Sequence, residues 1–488
     1  MDKAAHPLNK ALNNFRRPSP APTPPPASTT PALVQDGTYL EMLSLKFGEG
    51  VSKALAQPTG LANPAEVLAG KRPLPAGRGS ALGALIATEL NAARGTPHLY
   101  RAVLRTLHRP LSVLLTNLSS ILVPLLASPA FLNPSAPTVS APTPNATQSH
   151  ALGIAKFAEE LLIAFDQLEL GTDNDPRGDG LKPVREGLVS LINKVTTPLV
   201  TGIRNELIPL IESLERPAPR ATPASKTSSI YHPSITTLQT LVPIYARALA
   251  RYTSSQVAQS ALANLLISVL WKAMVALSHR SDMAPSPPPS PGQGKKRRGS
   301  PPSTTPPATP PASRFMLKLP PSRPPSPPAV PVVATAAGDC KALLDLINQL
   351  PRPASDGPSR LAGAVEAVDA AFVGLKALSV FLEVLQTVKL DFKSADAMAN
   401  ELLNLTEEIP TLIALPPLLR MYGTRDIPPV SEMSGLSEEE YRRGCLSGFG
   451  RAEECATVVG QRVLQRLNVS PEANDVVLRW LNLELELV

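Results

Sequence analysis

Aromatic side chains are scarce: Phe, Trp and Tyr make up 4% of the 488 residues. β-Sandwiches and barrels draw their cores from aromatic and β-branched residues, so the shortage points away from them. Apolar residues still reach 43%, most of them Leu, Ala, Val and Ile, which suits packed helices. Cysteine is scarcer. Cys340, Cys445 and Cys455 are odd in number and lack CxxC spacing, which argues against a disulfide framework and for a reducing compartment. The opening MDKAAHPLNKALNNFRRPSP has no apolar run, so a secretory signal is not expected. These features together predict a cytoplasmic or nuclear protein that is not secreted.

Linear signatures of catalysis are missing as well. Ala69-Gly70-Lys71-Arg72 lacks the upstream glycine and the hydroxyl residue of a phosphate-binding loop. No GxSxG or HExxH occurs, and the six histidines are scattered. Gly171–Gly180 imitates a calcium loop through Asp173, Asp175 and Gly178. However, Arg177 holds a ligand position, and Val184 stands where the bidentate glutamate is needed. The pairs Glu159-Glu160 and Glu407-Glu408 fall in helical sequence, where a solvated face explains them. Cys445 has basic neighbours but no nearby histidine, so an inert thiol is expected. The reading is therefore non-enzymatic, with no cofactor and no metal.

What the chain has in excess is proline, with 56 residues in clusters, the mark of Pro-rich segments that build no core. The clusters divide it into a Pro-rich arm (1–32), a helical domain (33–280, with a Pro/Ser/Thr loop at about 128–149), a Pro/Ser/basic linker (281–335) and a second helical domain (336–488). Charge follows the same division. Residues 36–280 hold 22 basic and 16 acidic side chains, the linker 7 and 1, and residues 336–488 hold 14 and 22. Opposite net charges on the two halves make docking between them one expectation, and separate solvated faces the other.

Apolar spacing sets the fold class. In Leu181–Glu215, apolar positions fall at 181, 184, 188, 191, 195, 199, 203, 207, 210 and 214, every step being three or four, as one helical face requires. Pro198 and Pro209 are expected to kink or split that helix. Comparable helices are predicted over 33–55 (with a break near Gly48 and Gly50), 80–126, 151–170, 235–277 (parted near Ser254-Ser255) and 361–390. Ser437-Glu438-Glu439-Glu440 reads as a capping box, and Ser470-Pro471-Glu472 as a helix start. A proline inside an apolar run recurs in LVPLL (122–126), LIPLI (207–211), LVPIY (241–245) and LPPLL (415–419), at intervals too irregular for a repeat protein. The fold class is all-α: an irregular multi-helix bundle or solenoid-like array in two bodies.

Candidate contact residues fall in two places. The linker carries Lys295, Lys296, Arg297 and Arg298, a basic run suited to an import receptor or to anions. Ser286, Ser290, Ser300, Thr305, Thr309 and Ser326 each precede proline and suit a proline-directed kinase. Phosphate at Ser300 would set about two negative charges beside the basic run. Phe315, Met316, Leu317 and Lys318 form an apolar island. Lys318, Pro321 and Pro324 fit the [KR]xxPxxP spacing of a polyproline II ligand for SH3- or WW-type domains.

The other place is a basic stripe, Arg94, His98, Arg101, Arg105 and His108, at steps of 4, 3, 4 and 3. It suits anionic lipid or an acidic partner, the acidic second half included. Beyond it, Leu111–Leu132 runs 22 residues without charge. That is long enough to span a bilayer, although its Asn, Ser, Thr and Pro content favours a buried core helix. The functional expectation is an intracellular scaffold or adaptor acting through protein partners. A peripheral membrane or trafficking-complex subunit using residues 94–132 is the alternative. A nuclear regulator touching nucleic acid comes last, since no DNA-binding motif supports it.

Overall fold

The three- and four-residue apolar spacing becomes helix throughout. The computed structural model describes residues 31–59, 66–172, 180–217, 231–280, 334–354, 359–387, 394–423, 427–469 and 475–487. Among them there are sixteen α-helices and no strand, only an isolated bridge between Leu68 and Lys71.

Eight helices precede the linker: α1 (Pro31–Leu55), α2 (Arg78–Ala93), α3 (Pro97–Ala127), α4 (Pro129–Leu132), α5 (Ala146–Gln167), α6 (Lys182–Glu212), α7 (Pro233–Tyr252) and α8 (Gln256–His279). A 3-10 turn, Ser213–Glu215, extends α6. Eight follow: α9 (Ala336–Ile347), α10 (Ser359–Thr387), α11 (Ala395–Thr406), α12 (Thr411–Tyr422), α13 (Val430–Met433), α14 (Glu438–Gly444), α15 (Phe449–Val469) and α16 (Asp475–Leu487).

Helix α6 shows how sequence becomes packing. Val184, Leu188, Leu191, Val195, Leu199, Ile203 and Leu207 are all buried, each contributing about 1.5–3 kcal/mol by leaving water. The expected break at Pro198 or Pro209 does not occur, and the helix runs through both. Each proline removes one backbone hydrogen bond, but α6 is held between α5 and α8, and burial of one continuous face outweighs that loss. The prolines of the other three similar runs, Pro124, Pro243 and Pro416, likewise lie inside helices α3, α7 and α12. Helix α1 is also unbroken at Gly48 and Gly50. At Gly50 a Cβ would stand 2.8 Å from Leu85 Cδ2, so glycine there serves close packing on α2.

Helix α8 is the centre of the molecule. It is apolar all round, as a helix enclosed on every side must be, and it packs against α6, α9, α10 and α12. Helices before and after the linker thus share one continuous core. Trp271 of α8 donates its indole N–H to the Leu446 carbonyl (2.8 Å) and lies against Phe449, with ring centroids 4.6 Å apart. Arg280 pairs with Asp339, at the two ends of the linker, and also donates to the Ala334 carbonyl (3.1 Å).

The remaining expectations sort simply. Ser437 and Glu440 form the capping box of α14. The helix start at Ser470 lies outside the described residues, and the chain end LNLELEL belongs to helix α16. A pair of glutamates behaves differently from expectation: Glu159 and Glu160 are both buried. The Glu160 carboxylate accepts from the backbone N–H groups of Gly77 (2.8 and 2.9 Å), Gly79 (3.0 Å) and Ser80 (3.3 Å). It serves as the anionic cap of α2 from a different helix, where the exposed N–H groups and the helix dipole both favour negative charge.

Candidate interaction face and central joint

Helix α3 has two unlike faces. Val103, Leu107, Leu111, Leu114, Leu118 and Leu122 are buried against neighbours that include α1, α2, α5 and α6. On the outer face His98, Arg101, Arg105 and His108 are exposed, and none of them forms an ion pair among the described residues. Arg94, the fifth member of the predicted stripe, is exposed too. It belongs to the C-cap of α2, parted from α3 by Gly95 and Thr96, so the stripe crosses a helix junction instead of following one helix.

Past Arg109 the outer face loses its charge. Ser112 and Thr116 donate their hydroxyls to carbonyls one turn earlier (2.8 and 3.0 Å). They therefore satisfy themselves within the helix. Val113 (49% exposed), Ile121 (43%) and Val123 (61%) stand in solvent. The Leu111–Leu132 segment is thus half core and half surface. Both α3 and α8 are long and apolar enough to cross a membrane, but α8 is mostly buried inside the protein and α3 mostly is not.

Helix α6 runs beside α3: Gly180 faces His108, Gly187 faces Leu115, and Gly202 faces Ser135. Between α6 and the end of α3 with α4 lies a groove of about 1030 Å³. Leu126, Phe131, Leu132 and Val189 give it apolar walls, and Lys182 and Lys194 stand at its edge. Lys194 is exposed, so the positive surface of α3 continues onto α6.

A second concave site lies where α8 meets the C-terminal helices. It is a cavity of about 470 Å³. The Arg442 guanidinium donates to Glu215 (2.9 Å) and pairs with Glu438. Burial alone would raise the Glu438 pKa, but hydrogen bonds from Ser431 and Arg442 outweigh it and hold the carboxyl below its ordinary range. His279 Nδ1 lies 2.9 Å from the Val275 carbonyl, and burial pushes the ring's pKa down. Burial pushes the Tyr441 hydroxyl well above its ordinary value.

The linker residues named from sequence, Lys295–Arg298, the six Ser/Thr-Pro positions and Phe315–Pro324, lie outside the described residues. Sequence reasoning did not reach the groove or the cavity. His279 and Tyr441 are 162 positions apart, and no local pattern links them. Cys445 is buried, and burial raises its thiol pKa to about 11, as an unreactive thiol requires. No group of three or more His, Cys, Asp or Glu able to hold a metal ion occurs among the described residues.

No family model matches the sequence, and no curated protein matches it. Among solved structures, the chain is similar to the crystal structure of the C-terminal domain of the exocyst subunit Sec6p. Identity is 12%, coverage is 93% of this chain and 98% of that chain, and the TM-score is 0.37. The likeness is one of helical architecture at low score, and the functional reading rests on this chain's own surface.

Proposed function

We propose that this chain is a non-enzymatic helical scaffold that works inside the cell as a protein-binding subunit. The observation that carries the reading is the outer face of α3. Arg101 and Arg105 stand exposed without ion pairs among the described residues, and that surface runs on to the apolar groove against α6. A surface with positive charge at one end and exposed apolar side chains at the other fits an acidic partner that also buries apolar area. The linker adds recruitment: Lys295–Arg298 for an import receptor, the Ser-Pro and Thr-Pro sites for a kinase, and Lys318–Pro324 for an SH3-type domain.

A second reading is supported by Val113, Ile121 and Val123, which continue the basic stripe as exposed apolar side chains. That combination also suits an anionic membrane surface and a peripheral membrane or trafficking role.

One experiment separates the two. The tagged full-length protein and its Arg101→Glu/Arg105→Glu variant are affinity-purified. Both are also floated with phosphatidylcholine vesicles with and without phosphatidylserine. Stoichiometric partners on the wild type that are lost from the variant establish the scaffold reading. Partners kept by the variant remove α3 as the contact. Recovery of the protein alone, with flotation on the anionic vesicles that the variant loses, establishes the membrane reading.

A further inference from the structure

The cavity between α8, α12 and α14 has a polar chemistry that packing does not account for. His279 Nδ1 contacts the Val275 carbonyl, which can only accept, so Nδ1 carries the proton. Nε2 is then a bare acceptor. It is buried, and among the described residues it meets no hydrogen-bond partner. The same holds for the hydroxyl of Tyr441, whose residue is only 1% exposed. Leaving such a group unpaired costs about 1–3 kcal/mol. Here two of them line one cavity, on rings whose centroids are 6.5 Å apart.

The charges around the cavity are already matched. Arg442 is engaged by Glu215 and Glu438, and Arg420 donates to the Ser278 carbonyl. An ionic ligand would have to break one of these contacts. The other walls are apolar: Pro416, Leu419, Ile427 and Pro428. The volume, about 470 Å³, falls in the range of small-molecule pockets, which favour such junctions.

We infer that this cavity is a binding site for a small uncharged molecule bearing an amide or lactam edge, with its N–H donating to His279 Nε2 and its C=O accepting from the Tyr441 hydroxyl. Such an edge supplies the donor and the acceptor that the two side chains lack, and its charge of zero leaves the ion pairs intact. Because the cavity joins helices from both sides of the linker, the occupant also braces that joint.

The test is calorimetric titration of the full-length protein with uracil, whose edge alternates N–H and C=O. 1,3-Dimethyluracil, which keeps the ring and carbonyls but has no N–H, is the control. The expected result is one uracil per chain, with the dimethyl compound at least about tenfold weaker, as loss of one buried hydrogen bond implies. Tyr441→Phe and His279→Phe should each weaken uracil by a similar factor. Tyr441→Phe removes only the hydroxyl, so it serves as the decisive variant if His279→Phe fails to fold. Equal binding of the two compounds, uracil binding unchanged in Tyr441→Phe, or no heat from either compound would overturn the inference. The last result would leave the cavity to water.

Discussion

Arg280 and Asp339 are both almost fully buried, with side chains 1% and 0% exposed. Removing one partner of such a pair strands the other charge, at a cost of about 3–5 kcal/mol. Asp339 also accepts from the His232 backbone N–H (3.0 Å), so Asp339→Ala should lower the denaturant midpoint sharply. Arg443→Ala breaks an ion pair between exposed side chains, and its effect should stay near zero. The buried histidines predict a pH dependence. Burial lowers the pKa of both His232 and His279, with Arg280 acting in the same direction on His232 and Asp339 opposing it. The unfolded chain therefore takes up protons at higher pH than the folded one. Stability from these neutral rings is complete above the ordinary histidine pKa, about 6.5, and is lost as pH falls through the lower folded values. Melting temperatures measured from pH 8 to 5 should hold level and then drop below about 6.5. His232→Gln should flatten part of that drop, and a profile unchanged by the substitution would remove His232 from the account.

At the scale of elements, glycine and glutamate fix where helices meet. A Cβ on Gly202 would lie 2.2 Å from the Ser135 carbonyl oxygen. Gly202→Ala should therefore destabilise by about 1–3 kcal/mol through forced separation, despite alanine's better helix propensity. Glu160→Gln keeps the shape but weakens the cap of α2. It should cost about 1 kcal/mol in denaturant unfolding, in the range for a lost helix cap. Arg101→Glu/Arg105→Glu touches no partner among the described residues, so its stability should stay within about 0.5 kcal/mol of wild type. Most elements were legible in sequence because three- and four-residue apolar spacing is local, as in α6 and α10. The basic stripe was legible for the same reason. Buried Glu160 was not, because its partners lie about 80 positions away and nothing near it distinguishes a cap from a solvated acid. The uninterrupted course of α6 through Pro198 and Pro209 was hidden too, since local propensity is outweighed there by α5 and α8 on either side.

For the molecule as a whole, the deciding feature is that α8 is enclosed by helices from both sides of the linker. Composition marks the Pro-rich segments, but it carries no record of which apolar faces meet across them. The central joint was therefore invisible to sequence reasoning. Fragments 33–280 and 336–488 produced separately should expose the faces of α8, α10 and α12 and associate with themselves. Produced together they should recover a one-to-one complex. Two well-behaved monomers that ignore each other in gel filtration would contradict this. The shared core also has an optical consequence. Trp271 and Trp480, the two tryptophans of the chain, are both buried. Trp480 bonds to Thr406 (3.1 Å), inside the C-terminal half, whereas Trp271 bonds across the joint to Leu446 (2.8 Å). In a Trp480→Phe protein, the emission maximum is therefore a gauge of the joint alone. A red shift that precedes the loss of helical circular dichroism would report the two halves parting while each is still folded.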